Sequence, residues 1–188
     1  MKGMLASEAP ATAIEIAGNR FYRTRVIARN LDQRPGQVLN IPELEETLLT
    51  INRHQDYRVR ATLSAGENTG ETDIRLNVEE RQPWQIALTF DNQGRPFIGT
   101  YRWGTELTNN NLTGMGDRLS ARWIGAAGTQ VAMGSYFVPI NRYGTEIGAT
   151  FAYSHVDIDL EIPNQPSLTG EAYNYGLMVS QPLGRERS

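Results

Sequence analysis

The 188-residue chain contains no cysteine, which excludes disulfides, thiolate metal ligands and a cysteine nucleophile. It also lacks a run of about 18 consecutive apolar residues, so we predict no transmembrane helix. The formal net charge is −3, and no basic excess provides a field that would favour nucleic acid.

Residues that could carry catalysis or bind a metal are few and scattered. His54 and His155 lie far apart in the sequence, whereas metal sites need several ligands close together. Ser154, His155 and Asp157 do not form a triad, because adjacent strand residues point to opposite faces. We therefore expect no catalytic residues, no metal and no cofactor, and the chain is not predicted to be an enzyme.

Glycine and aromatic residues are concentrated in the second part of the chain. Of the 18 glycines, 13 follow Pro83, and so do 13 of the 16 aromatic residues. Both predicted helices precede it, and proline restricts the residue before it. We therefore place a boundary at Gln82–Pro83, with a linker at residues 1–12, one domain at 13–82 and another at 83–188.

Residues 13–82 predict a small α+β domain in the order β-α-α-β-β. The second helix is the clearest element, because Asn40 can cap its N-terminus and Leu44, Leu48 and Ile51 form an apolar stripe. Helices that cover one side of a sheet bury its apolar face. The predicted elements are a strand at Ala13–Ala17, a helix at Phe21–Leu31, a helix from Asn40 to about Asn52, and strands at Tyr57–Leu63 and Thr72–Glu79.

Residues 83–188 predict an all-β antiparallel meander of six strands. The larger apolar side chains favour one parity along each strand, including Val131, Met133 and Phe137 in the fourth, and small or polar residues take the other. The stretch Asn109–Asp117, rich in Asn and Gly, predicts a tight turn. The predicted strands are Trp84–Phe90, Phe97–Leu107, Arg118–Gly125, Val131–Pro139, Thr145–Asp157 and Glu171–Gln181.

These strands favour a transmembrane β-barrel over the alternative, a soluble β-sandwich binding protein. Several are long enough for a tilted crossing of about 9–11 residues, and aromatic residues lie near their ends. Such a barrel requires a signal peptide, and the first residues lack a sufficiently long apolar core. We therefore expect the chain to be an internal piece of a longer protein. Six strands leave two open edges, so alone it should aggregate or fold only in its first domain.

Three stretches of the first domain carry a resemblance to a known module: Ile14-x-Ile16-x-Gly18-Asn19, the helix Leu44–Ile51, and Gly66…Gly70-x-Thr72-Asp73-Ile74…Val78-x-Glu80. Through them the domain is similar to a POTRA domain, a module that handles polypeptides in the periplasm beside an outer-membrane barrel. The resemblance covers roughly residues 13–81 and implies that this domain is periplasmic.

Four stretches of the second domain carry a second resemblance: Phe90-Asp91-Asn92-Gln93-Gly94, Gly99-x-Tyr101-Arg102, Asn110-Asn111-Leu112-x-Gly114-x-Gly116-Asp117-Arg118-Leu119 and Tyr136-x-x-Pro139-Ile140. Through them the domain resembles the first barrel strands of two-partner secretion transporters, the haemolysin-activator proteins. That resemblance implies an outer-membrane pore, a monomeric barrel in lipid, and an unfolded secreted client polypeptide that crosses the lumen. The related barrel-assembly or surface-antigen proteins, which insert client strands, stay open as an alternative.

Two sets of residues are candidates for contact with such a client. A strand at the edge of the small sheet could accept an extended peptide, and Arg58 and Arg60 could attract an acidic segment. Alternatively, these charges only protect the edge from aggregation. Arg102, Arg118 and Arg122 share the parity predicted to face the lumen. The residues of the predicted client-binding edge are Tyr57, Arg58, Val59, Arg60, Ala61, Thr62 and Leu63.

Overall fold

The computed structural model divides into two compact units, Met1–Gln82 and Pro83–Ser188. Within the residues that it describes, no helix is long and apolar enough to cross a membrane. The described residues are 11–31, 33–52, 56–66, 68, 70–141, 144–158 and 168–182.

The first unit is built on a three-stranded sheet of β1 (Ala11–Ala17), β2 (Tyr57–Ala65) and β3 (Thr72–Glu80). β3 lies in the middle, parallel to β1 and antiparallel to β2. Two helices, α1 (Thr24–Ala28) and α2 (Ile41–Ile51), separate β1 from β2 in the sequence. The element order is thus β-α-α-β-β, and β2 forms one edge of the sheet.

α2 begins where the sequence predicts it. The Asn40 side chain accepts a hydrogen bond from the Glu43 backbone N–H at 3.3 Å, which satisfies one of the free donors of the first turn. Pro42 lies in that turn, where a backbone N–H has no helical partner. Leu44 and Ile51 are buried beneath the helix, so the predicted cap and apolar stripe are confirmed.

α1 is only five residues long, and the prediction of a helix over Phe21–Leu31 was wrong at both ends. The reason for the late start is the Glu80 carboxylate at the end of β3, which accepts three consecutive backbone hydrogen bonds. The donors are the N–H groups of Arg20, Phe21 and Tyr22, at 2.7, 2.6 and 2.8 Å. These bonds hold the segment before α1 in a loop.

The core of the first unit lies between the helices and one face of the sheet. Alternate β3 residues, Ile74, Leu76 and Val78, are buried against it, as the period of two along a strand requires. The Tyr22 ring packs 4.7 Å from that of Tyr57, centroid to centroid. Burial, followed by the nearby Asp56 carboxylate, raises the pKa of Tyr22 far above its ordinary value.

The second unit is a single six-stranded antiparallel sheet in which every strand pairs with its sequence neighbours. The helical content is one short 3₁₀ turn in the described residues. The longest strands have 13 residues each. The strands are β4 (Trp84–Asp91), β5 (Arg102–Asn109), β6 (Arg118–Ala126), β7 (Thr129–Pro139), β8 (Glu146–Ile158) and β9 (Leu168–Ser180).

β5 starts later than the predicted Phe97–Leu107, which was wrong at its first residues. Pro96–Ile98 forms a 3₁₀ turn instead, and Gly99 follows with φ 106°. A side chain at Gly99 would lie 2.6 Å from the backbone nitrogen of Ala127. The glycine therefore lets the chain turn beside the β6–β7 hairpin before it enters β5.

The register of the six strands defines two faces of the sheet. Large apolar side chains gather on one, the apolar face, where they are exposed: Leu88 is 78% exposed and Leu177 90%. The other, the polar face, carries arginines, carboxylates and small residues. Exposed members of the apolar face are Ile86, Leu88, Phe90, Trp103, Trp123, Phe151, Tyr173, Tyr175, Leu177 and Val179.

β7 corrects one prediction of side-chain direction. Val131, Met133 and Phe137 were predicted to lie on the apolar face. The register instead pairs Met133 with Arg122 and Phe137 with Arg118, so these side chains lie on the polar face. Alternation within β7 does not show which of its side chains lie on the apolar face of the sheet, because apolar residues occur on both sides of this strand. Only the pairing of β7 with β6 assigns its side chains to the two faces.

Candidate functional site

The open edge of β2 is the first candidate site. In an antiparallel pair, every second residue turns its backbone N–H and C=O towards the partner strand and the others turn outward. The Arg81 N–H donates to the Asp56 carbonyl at 2.8 Å. The backbone groups of residue 56, and of every second residue after it along β2, therefore point towards β3. Tyr57, Val59, Ala61 and Leu63 therefore direct their backbone groups away from β3.

One of these outward positions is already occupied. The Asn52 side-chain amide donates to the Val59 carbonyl at 2.9 Å and accepts from the Val59 N–H at 2.7 Å. Asn52 is the residue that ends α2. Its amide thus takes the place of a neighbouring strand at Val59. Sequence reasoning missed this contact, because it read Asn52 only as the end of a helix.

The side chains of β2 differ between its two faces. Tyr57 and Val59 are buried in the core, and Leu63 further along is 43% exposed. On the open face, Arg60 forms an ion pair with Glu79 at 3.2 Å, with both side chains largely in solvent. Such an exposed pair contributes little to stability, typically about 0–1 kcal/mol. It does partly neutralise Arg60, which weakens the case for attraction of an acidic segment at that residue.

The polar face of the second unit is the other candidate site, and it brings the three predicted arginines onto one surface. Strand register places Arg102, Arg118 and Arg122 on the same face. Arg102 contacts Asp91 at 2.8 Å and Arg118 contacts Glu146 at 2.6 Å.

Arg122 differs from the other two arginines. Within the described residues it forms no ion pair, and its cross-strand neighbour on β5 is Glu106. The register places Asp91, Glu106 and Glu146 on the same face as the three arginines. The face is therefore lined by both signs of charge.

Arg118 reaches Glu146 over an aromatic ring. Its guanidinium lies 5.9 Å from the centroid of the Phe137 ring, within the range of cation–π attraction. The ring in turn lies over Gly148 on β8, where an added Cβ would collide with it. The absence of a side chain at Gly148 therefore lets Phe137 lie flat and brings Arg118 to β8.

The turn between β5 and β6 is held by a buried carboxylate. Asp117 is fully buried and accepts hydrogen bonds from the Thr113 N–H and hydroxyl at 2.9 and 2.8 Å. The Tyr136 hydroxyl donates a third at 2.8 Å. Burial raises the pKa of Asp117, but the bonds from Thr113 and Tyr136 outweigh it and leave the pKa below its ordinary value.

The glycines of this turn serve its backbone path. Gly114 and Gly116 have φ of 83° and 80°, a region that residues with a side chain avoid. The Gly116 N–H donates to the Asn111 side-chain oxygen at 2.8 Å. This agrees with the prediction of a tight turn between two strands.

The weak catalytic candidates do not come together. His155 lies on β8 with its Nδ1 3.4 Å from the Glu171 carboxylate, and without hydrogen-bond geometry. His54 falls outside the described residues. No group of three or more His, Cys, Asp or Glu side chains that could hold a metal occurs in the described part of the chain.

Known proteins match both the sequence and the fold. The heme/hemopexin transporter protein HuxB of Haemophilus influenzae is 30% identical over 145 residues, covering 76% of this chain and 26% of HuxB. The outer membrane transporter CdiB-2 of Burkholderia pseudomallei is 30% identical over 84 residues, 45% of this chain and 14% of CdiB-2. The chain thus spans about a quarter or less of the length of these relatives.

Two solved structures share the architecture. BamA from Haemophilus ducreyi lacking POTRA domains 1–3 matches with a TM-score of 0.66 at 18% identity, over 91% of this chain and 32% of that one. CdiB from Escherichia coli matches with a TM-score of 0.62 at 21% identity, over 95% and 34%. At these identities the likeness shows the fold, the mostly antiparallel sheet of these barrel proteins.

The assignment to a family rests on a match over most of the chain. The family model of the haemolysin secretion/activation protein ShlB/FhaC/HecB matches residues 70–188. That range includes β3, the central strand of the first unit, and all six strands of the second unit. The chain belongs to the haemolysin secretion/activation protein family.

Proposed function

We propose that the chain is part of an outer-membrane transporter that secretes a partner protein. Residues 13–82 would belong to its periplasmic POTRA domain. The first strand of that domain begins at Ala11 rather than at the predicted residue 13, so the linker would be the residues before that strand. Residues 83–188 would be the first strands of a transmembrane β-barrel that closes with further strands and works as a monomer. The barrel would conduct an unfolded client polypeptide, with no cofactor and no catalytic step.

The observation that carries this proposal is the exposed apolar face of the six-stranded sheet. Burying apolar surface stabilises a protein by about 25 cal/mol per Å². A continuous surface of exposed Leu, Ile and aromatic residues is therefore unfavourable in water. Lipid removes that cost, and a membrane barrel places such side chains outward and polar ones inward. The family match over the same residues supports this interpretation.

The polar face would line the pore. Its arginines alternate with carboxylates from neighbouring strands, as in the pairs Arg102–Asp91 and Arg118–Glu146. A lining that carries both signs does not strongly favour a client of one charge. Arg122, which has no ion pair within the described residues, is the cation most available to a passing segment.

The β2 edge would hold the client before it enters the pore. An extended segment that adds to a sheet edge gains main-chain hydrogen bonds that depend little on its sequence. This suits a domain that must capture an unfolded chain. Leu63, 43% exposed beside the edge, would add an apolar contact.

The proposal is tested by disrupting the reading frame that encodes this chain in its source bacterium. We expect one extracellular protein to disappear from the medium and to be retained in the periplasm, while other outer-membrane proteins assemble normally. A general loss of outer-membrane proteins would instead support the insertase function of the barrel-assembly relatives. Unchanged secretion and unchanged assembly would contradict both functions.

A further inference from the structure

We propose that Asn52 sets the register at which a client strand docks on β2, by closing the edge at Val59 and confining the client to the segment Ala61–Ala65. This inference rests on the proposed docking edge and names its boundary. A primary amide presents an N–H donor beside a carbonyl acceptor, as the edge of a strand does. With both groups bonded to Val59 at 2.9 and 2.7 Å, Asn52 leaves no main-chain bond for a client there.

Beyond Val59 the edge is unoccupied. Ala61 and Leu63 also turn their N–H and C=O outward, and neither backbone group has a partner in the part of the chain that the structure describes. From Thr62 to Ala65 every β2 side chain is exposed. The open segment therefore offers the N–H and C=O groups of Ala61 and Leu63 to an incoming strand, and by the same alternation those of Ala65 at its end.

The open segment also defines the chemistry of its occupant. The docked segment needs free N–H groups at the paired positions, which excludes proline there. The half-exposed Leu63 favours an apolar or β-branched side chain opposite it. Arg58 lies on the far side of Val59 from the open segment. Arg60 adjoins Ala61, but it is already paired with Glu79. We therefore expect the open segment to bind a short, extended, proline-free apolar stretch of the client rather than an acidic one.

A suitable probe is a capped seven-residue peptide of alternating Val and Thr, added to the full 188-residue chain in detergent micelles. Amide exchange measured by NMR reports each β2 position. We expect the peptide to slow exchange at Ala61 and Leu63 and to leave Val59 unchanged. A peptide N-methylated at alternate residues should have no effect, because it cannot complete the ladder.

Two variants test the role of Asn52. Asn52→Ala frees the N–H and C=O of Val59, so we expect Val59 to gain protection and affinity for the peptide to rise by about tenfold, since two more hydrogen bonds can form. Asn52→Asp retains the acceptor and loses the donor, and should give a smaller rise. Exchange at Leu76, in the central strand, reports whether either variant still folds.

The outcomes separate this inference from the function on which it rests. Protection of Val59 by the peptide in the unaltered chain, or equal affinity for the unaltered chain and a folded Asn52→Ala variant, overturns the register inference alone. A failure of the peptide to protect any β2 amide, in the unaltered chain and in the folded variants, overturns the docking edge as well. A shift of the protected positions from Ala61 and Leu63 to include Val59 in Asn52→Ala supports both.

Discussion

Glu80 should contribute more to the stability of the first unit than any neighbouring charge. Its carboxylate accepts three backbone hydrogen bonds at 2.6 to 2.8 Å from the segment that precedes α1. A hydrogen bond to a charged group is worth about 1.5–3 kcal/mol when its partner is otherwise left unsatisfied. One of these three N–H groups, that of Arg20, lies in an exposed site where water can replace the carboxylate.

We therefore expect Glu80→Ala to lower the free energy of unfolding by about 3 kcal/mol, chiefly through the N–H groups of Phe21 and Tyr22. Glu80→Gln should cost about 1–2 kcal/mol. Its single oxygen can accept two of the bonds, while its NH₂ group faces the third donor. Loss of this anchor should also loosen Tyr22 from Tyr57, because the carboxylate holds the segment that positions the Tyr22 ring.

The assay is native-state amide exchange at Leu76 and Val78, which open only when the first unit unfolds. Glu79→Gln provides the matched control: it removes the same charge one residue earlier, on the open face, where only the exposed pair with Arg60 is lost. The control should change the opening free energy by less than about 0.5 kcal/mol. Equal effects of the substitutions at Glu79 and Glu80 would refute the reasoning.

Two further predictions concern the second unit. Because the pKa of Asp117 is lowered in the folded protein, its stabilisation should be complete above the unfolded carboxyl pKa of about 4 and disappear as the pH falls through the lower folded value. Amide exchange at Thr113 should report this loss, and a pH-independent Thr113 would contradict it. Gly148→Ala should displace the Phe137 ring at a cost of about 1–3 kcal/mol, whereas Gly134→Ala, whose new Cβ would have its nearest neighbour at 3.9 Å, should be tolerated. Thermal unfolding in micelles of the intact protein that carries this chain measures both free energies, and equal costs would exclude the role assigned to the ring.

Local patterns in the sequence predict much of the fold. The turn at Asn109–Asp117 and the cap at Asn40 follow from residues within a few positions of each other, and the structure has both. The alternation in β4, β8 and β9 likewise places their apolar residues on one face. Such features can be predicted from the sequence because the interacting groups are close together along the chain.

Features that depend on residues far apart in the sequence could not be predicted from local patterns. Glu80 acts on backbone groups some 58 to 60 residues earlier, and this shortened the predicted first helix. Asn52 bonds a strand residue across the next loop, and no local pattern marks a side chain that replaces a strand. The direction of β7 was wrong for a related reason, because pairing with β6 rather than its own alternation assigns its faces.

The central claim, that the six-stranded sheet is a barrel wall with lipid on one side and a water-filled pore on the other, has a direct test. This chain has no cysteine. With any cysteine elsewhere in the parent protein replaced, Leu88→Cys and Thr89→Cys each introduce a single label site, on neighbouring residues of β4 that face opposite ways. Both are made in the intact protein that carries this chain, reconstituted in lipid vesicles. The account predicts that a charged, water-soluble maleimide modifies the cysteine at 89 and spares the one at 88. It also predicts that a fluorophore at 88 alone is quenched by brominated lipid. Equal modification at both positions, or lipid quenching at 89, would contradict the account.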